Sequence, residues 1–295
     1  PTNFDMVELS PVTAFGSNSV LASVSQKTVL TTSRGTEVVA DGVTALTLEA
    51  ARRRHNSSPT SPIHLATLHR ELRTQQHEQP GFTPHFHALS LISTERVSQP
   101  EDFKARTFSD HAKAYLDVIH GASTAGYSAG EVSVALSNTR VMELLIKNLQ
   151  LDKGAIMRHT QTPGFDVFDA YNIPLPKMVT VEELESLAAS LPEGFDFLRR
   201  PLLYMGATFN DLVRNVRQNY GEDVVYFDLS RHAGIGYYQD VCIKISATND
   251  RGEQYPLVDA GSSDWLAKAT GNRADRLITG GMGTELFMKK FRQKA

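Results

Sequence analysis

The sequence predicts an α+β fold, an antiparallel sheet flanked by helices, and three observations predict it. First, Val-, Ser- and Thr-rich stretches without helical period precede charged, amphipathic helices, an order that favours a sheet with helices laid on it. Second, residues 63–72 and 85–93 alternate apolar and polar side chains across a long polar connection, as the two arms of an antiparallel hairpin do. Third, the last stretch runs strand, Gly-rich corner with paired tyrosines, strand, small-residue loop, strand, glycines and helix. A strand follows Gly234 and Gly236, whereas a dinucleotide-binding G-x-G must open a helix.

The elements follow in order. Residues 4–32 read as short strands and turns, with strands at Val7–Leu9, Val20–Val24 and Lys27–Thr31. VTALTLEAARRR (43–54) is a helix closed by Arg52, Arg53 and Arg54, where cations suit the dipole. NSSPTSP (56–62) is a loop. IHLATLHREL (63–72) and HFHALSLIS (85–93) are the hairpin strands, and RTQQHEQPGFTP (73–84) is a loop able to close over a ligand. Residues 107–121 form a helix with Phe108, His111, Ala112, Tyr115, Val118 and Ile119 on one face. GEVSVALSN (130–138) is a strand, RVMELLIKNLQL (140–151) a helix, and 152–180 irregular. TVEELESLAASLP (180–192) starts with Thr180 and Glu183, a capping box. A helix within 201–221 ends at Gly221.

Composition narrows the function. The 295 residues are 41% hydrophobic and 21% charged, ordinary for one large globular domain with a full core. A net charge of −3 supplies no global pull toward nucleic acid. The single cysteine, Cys242, excludes an intramolecular disulfide and a Cys-rich zinc site. It alternates with Val241 and Ile243, as a core thiol does. His69, His77, His85 and His87 cluster in sequence without Cys or a second carboxylate at ligand spacing, so no metal site is expected. No G-x-S-x-G elbow supports a hydrolase triad. No apolar run reaches the roughly 20 residues of a membrane span, and no signal peptide is visible, so a cytoplasmic setting is expected.

The segment GIGYYQDVCIKI (234–245) resembles the signature R-G-L-D-Y-Y-T-G-x-V-F-E of histidyl-tRNA synthetases, with Gly234, Ile235, Tyr237 and Tyr238 matching. AGSSDWL (260–266) stands where that family has G-G-R-Y-D-x-L; Gly261, Asp264 and Leu266 match. ITGGMGTELF (278–287) is similar to the third class II motif, G-x-G-I-E-R-L, through Gly281, Gly283 and Glu285. LHREL (68–72) with GFTPHFH (81–87) resembles the second motif, through Arg70, Gly81, Phe86 and His87. VTAL (43–46) stands for R-P-E-x-T with Thr44 as its Thr, and FDMVELSP (4–11) for the tail of the first motif, ending at Pro11. The collinear order points to a class II aminoacyl-tRNA synthetase-like fold. The resemblance implies a single synthetase-like catalytic-type domain over 1–295, with 95–220 as an inserted helical part. It leaves no room for an anticodon-binding domain or for the long dimerising helix ahead of the first motif.

The resemblance also implies a site. Arg70 would hold the ATP α-phosphate as the catalytic group, with Gly281, Gly283 and Glu285 around the nucleotide and Mg beside it. Thr44, Glu71, His87, Arg231, Tyr237, Tyr238 and Asp264 would meet an amino-acid substrate. From the residues alone, the tyrosines equally suit one core and one surface ring, the glycines a tight bend, and Asp264 a cap for Trp265. The departures bear on chemistry. The second-motif loop arginine falls near Thr83 or Pro84, the third-motif arginine on Leu286, and the R-G-L-D arginine on Ala233, with Arg231 close by. Bidentate guanidinium is hard to replace where phosphates must be held. The leading reading is therefore a non-catalytic paralogue that binds an amino acid or related ligand and acts through a protein partner, as the regulatory subunit of ATP phosphoribosyltransferase does. The other is an ATP-dependent ligase that activates a carboxylic acid for a non-tRNA acceptor. A homodimer is implied by the class; no membrane or nucleic-acid partner is.

Overall fold

The computed structural model describes residues 3–22, 25–56, 61–74, 83–160, 162, 164–221 and 224–293. The chain opens with β1 (Asp5–Met6), β2 (Val12–Ala14), β3 (Thr36–Val38), α1 (Gly42–Asn56) and the hairpin strands β4 (Ile63–Leu72) and β5 (His85–Arg96). The middle holds α2 (Pro100–Gly121), β6 (Val132–Asn138), α3 (Thr139–Asn148), α4 (Lys153–Arg158), α5 (Val167–Ala170), β7 (Met178–Val179), α6 (Val181–Ala189) and α7 (Arg199–Tyr220). β8 (Val225–Asp228), β9 (Val241–Thr248), β10 (Gln254–Ser263), α8 (Trp265–Thr270), β11 (Asp275–Met282) and α9 (Thr284–Lys290) complete it.

Among the described residues, nine strands form one sheet in the order β1-β4-β5-β11-β10-β9-β6-β8-β7. β1 with β4 and β6 with β8 are parallel; the other neighbours are antiparallel. This is the expected α+β architecture. β6, from within 95–220, lies between β9 and β8. The two sheet faces differ. One is covered by α2 and α7, whose Phe108, Tyr115 and Phe209 are buried against Leu91, Ile243 and Ile278. Phe108 and Phe209 meet edge to face at 5.2 Å, a favoured aromatic geometry. The other face carries α1 and α8 at one end, where Leu46, Trp265 and Leu266 pack on Leu65, Ile92 and Leu277. The remainder of that face holds a cavity.

Local signals explain most elements. The hairpin ladder runs from Ile63↔Thr94 to Leu72↔His85. Thr180 and Glu183 form both capping-box bonds. α2 begins earlier than residue 107, because Pro100 at its start and Glu101 and Asp102 in its first turn suit a helix N-terminus; Val118 on its expected core face is 40% exposed. The N-terminal strands differ from expectation. Val7–Leu9 follows the two-residue β1, and residues 17–21 form a π-helical turn. Part of the expected strand Val20–Val24 lies outside the described residues. The cause is tertiary: the buried carboxylate of Glu37 accepts from the backbone N–H groups of Gly16 and Asn18 and from the Asn18 and Gln26 side chains. Those bonds satisfy donors that a strand would have left to a ladder. Gln26–Thr28 is a short 3-10 turn where a strand was expected. Among the described residues, no helix is long and apolar enough to cross a membrane.

Candidate functional site

The cavity, about 590 Å³, lies on the sheet face that α2 and α7 leave uncovered. Strand alternation puts every second residue there. Lys244 of β9, Asp259 of β10, Gly281 of β11 and Ser90 of β5 stand opposite one another in register and form one row of the floor. The corner 233–238 makes one wall, Asp41 and Asn18 another, and Phe86 and Leu286 line the cavity as well.

Glu71 is the buried acid of this site, 2% exposed. It accepts from the Gly42 N–H at 2.9 Å, from Arg73 at 3.1 Å and from Ser90 Oγ at 3.4 Å. Burial raises its carboxyl to about 7, with Arg73 opposing the rise and Asp41 adding to it. Asp41 accepts the Tyr237 hydroxyl at 2.6 Å and lies 3.6 Å from Arg73. Arg73 also donates Nε to the Ala40 carbonyl at 2.8 Å and sits 5.3 Å from the Phe86 ring centre. Its Nε and Nη2 are thus engaged by the protein, while the side chain stays 35% exposed.

The tyrosine corner is held as firmly. Tyr237 stands edge-on to Trp265 at 4.8 Å and to Tyr238 at 5.0 Å. Burial and the nearby Asp41 push its phenol well above the ordinary value. Tyr238 donates to Asp259 at 2.8 Å, and Arg231 Nη2 reaches both Asp259 oxygens at 2.8 Å. Two glycines make room for the Tyr238 ring. Gly234 has φ +91°, and a Cβ there would lie 2.7 Å from the ring. A Cβ on Gly261 would lie 2.3 Å from it.

The structure brings Glu71, Tyr237, Tyr238, Gly281, Gly283 and Glu285 to the cavity. It places the other expected residues elsewhere. Arg70 neighbours Glu71 on β4, so its side chain leaves the strand on the opposite face, and it does not line the cavity; it meets His85 Nδ1 at 2.9 Å and lies 3.4 Å from the cavity-lining Glu285. His87 pairs with Arg70 in register; its backbone bonds to Glu285 and Thr284. Thr44 is fully buried and donates to Asn18 and the Asp41 carbonyl. Arg231 lies behind Asp259 with its side chain 2% exposed. Asp264 pairs with Lys268 at 2.9 Å and makes no side-chain cap bond. Gly81 and His77 lie outside the described residues.

Asp41, Lys244 and Asp259 are the site groups that sequence reasoning missed, and Arg73 reads there only as part of the polar loop 73–84. Asp41 had a signal: the acid of R-P-E-x-T stands two residues before its Thr, and Asp41 stands three before Thr44. A single extra residue hid it. Asp259 is a charged residue inside the apolar run Leu257–Ala260, the mark of a strand with one functional face.

The Glu71 carboxyl gives a pH prediction. Its folded value, about 7, exceeds the ordinary 4.5. Within that window the native state binds more protons than the unfolded chain, so the group lowers stability as pH rises from 4.5 to about 7. Glu71→Gln is expected to remove this decline, read as a flatter urea-unfolding free energy across the window. Parallel wild-type and variant curves would contradict the assignment.

No protein-family model matches the chain, and no curated protein matches its sequence. Solved structures do. An ATP phosphoribosyltransferase regulatory subunit/histidyl-tRNA synthetase from Bacillus halodurans C aligns over 97% of this chain and 74% of its own, at 16% identity and a TM-score of 0.69. A histidine–tRNA ligase subunit from Alicyclobacillus acidocaldarius aligns over 97% and 86%, at 14% identity and 0.66. The histidyl-tRNA synthetase of Nostoc sp. PCC 7120 aligns over 97% and 66%, at 13% identity and 0.66. At these identities the likeness is one of fold: the chain has a class II aminoacyl-tRNA synthetase-like architecture.

Proposed function

We propose that the chain is a non-catalytic relative of the class II synthetases that binds an amino acid or related small molecule in the sheet cavity and acts through a partner protein. The observation that carries this reading is the cavity's cation set. Arg73 is its one arginine among the described residues, and it is committed to Ala40, Glu71 and Asp41. Ala233, Thr83 and Leu286 line the cavity where the resemblance has arginines.

ATP with Mg fits these residues poorly. Adenylation needs donors preorganised on the developing phosphate charge, and each one lost weakens catalysis by on the order of 2.7–4 kcal/mol. The α9 N-terminus, which could otherwise favour an anion, carries Glu285 in its first turn. Arg70 does not line the cavity and is drawn to Glu285 at 3.4 Å. Asp41, which accepts the Tyr237 hydroxyl and lies 3.6 Å from Arg73, is the acid on that wall that an amine would meet, with aromatic rings beside it. A protein partner is supported by the fold shared with a structure described as a regulatory subunit.

Amino-acid-dependent pyrophosphate exchange tests the catalytic half. No exchange is expected across the twenty amino acids, and robust exchange with any of them would overturn the reading in favour of an acid-activating ligase. A thermal-shift series tests the binding half. A ligand at 100 times its Kd should add about 2.7 kcal/mol; an unmoved melting point with every amino acid would remove the small-molecule role.

A further inference from the structure

We propose that Lys244 makes the cavity floor an anion subsite, so that the ligand carries a side-chain carboxylate or a phosphate beyond the α-carboxylate and amine common to amino acids. The inference rests on the reading of the cavity as a small-molecule site and names the chemistry of what it takes. Aligned residue by residue, the signature R-G-L-D-Y-Y-T-G-x-V-F-E ends in Glu at the position of Lys244.

The surroundings of Lys244 leave its ammonium available. It lines the cavity from the middle of β9 and is half-buried. Its cross-strand neighbour is Asp259, and opposite charges placed so usually pair. They form no ion pair here, and both Asp259 oxygens accept from Arg231, one of them also from Tyr238. Arg231 Nη1 is itself buried without a partner. The group of Arg231, Asp259 and Lys244 therefore carries a net charge of +1. The cavity's other cations are occupied: Lys289 by Glu285 at 2.7 Å, Arg73 by Glu71 and Asp41. Among the described residues, Lys244 is the cavity cation without an ion pair. A partly desolvated ammonium with no counter-charge is costly, and an anionic ligand group supplies the missing partner. A carboxylate and a phosphate share this chemistry; acidic amino acids and phosphorylated amino acids are the two sources to separate.

Calorimetric titration of the full chain separates them. The probes are glutamate against glutamine, aspartate against asparagine, O-phosphoserine against serine, and glutarate as an amine-free acid. The acidic member of at least one pair is expected to bind roughly tenfold or more tightly than its neutral partner, the scale of one charge-assisted bond. Lys244→Met should abolish that preference and Lys244→Arg retain it. Lys244→Glu should turn it toward lysine or histidine. Equal binding of every acidic and neutral pair by the wild type, or a preference that survives Lys244→Met, would overturn the subsite. Glutarate binding without any amino-acid binding would keep the subsite and sink the amino-acid reading. Neutral amino acids binding alone would do the reverse, and no binding across the panel would end both.

Discussion

Asp275→Ala is expected to destabilise the protein by about 3–5 kcal/mol, the usual consequence of removing one partner from a buried ion pair. Asp275 has a side chain with 0% exposure. It receives Arg96 through two bonds of 2.8 and 2.9 Å and Thr270 Oγ1 at 2.6 Å. Arg54, whose side chain is 1% exposed, lies 3.8 Å away. Burial works against the charged carboxyl, yet the Arg96 and Thr270 bonds hold it below the ordinary carboxylate range. The group ties the end of α1, β5, the end of α8 and the start of β11 together. Without it, Arg54 keeps its positive charge in the interior, where it also donates to the Ser61 and Thr94 carbonyls. Urea unfolding at neutral pH measures the loss, and a change under about 1 kcal/mol would contradict the account. The Glu182–Arg217 pair, where Glu182 is 65% exposed, is the contrast: Glu182→Ala should change stability by less than about 1 kcal/mol.

Gly261→Ala should destabilise by about 1–3 kcal/mol, the range for overpacking, and should also dismantle a wall of the cavity. The new methyl would lie 2.3 to 2.6 Å from three atoms of the Tyr238 ring. The backbone has little freedom to retreat, because β10 is paired at this residue to Thr279 on one side and Cys242 on the other. The ring must move instead, and the Tyr238–Asp259 bond goes with it. A double-mutant cycle with Tyr238→Ala distinguishes this clash from a general intolerance of β10. The cost of Gly261→Ala should shrink once the ring is gone, with a coupling of about 0.5–3 kcal/mol. Additive costs would refute the steric account.

The legible parts of this molecule are those whose structure is set by local pattern. The β4–β5 alternation, the Thr180 capping box and the C-terminal succession of corner, strands and helix all follow from residues close in sequence. The parts that depended on distant partners were not legible. A turn takes the place of a strand at residues 17–21 because Glu37, far along the chain, collects its N–H groups. The dipeptide Arg70–Glu71 names two plausible site residues, but only one of two neighbours on a strand can face the cavity. The sheet register decides for Glu71. Arg73 reads as part of a polar loop, and its place in the site comes from Phe86, Ala40 and Asp41. Lys244 reads as the polar half of an alternating strand until its neighbour Asp259 is seen to be occupied.

The strand order has a consequence for how this protein can meet another. The outermost strands, β1 and β7, are two residues long each. Each of these two strands offers a ladder of two residues, and β1 covers only Leu65 and Ala66 of the ten-residue β4; short edge strands are one way natural sheets resist edge-to-edge aggregation. Main-chain pairing at β1 or β7 could fix at most two residues of an extended segment, so selectivity there would have to come from side chains.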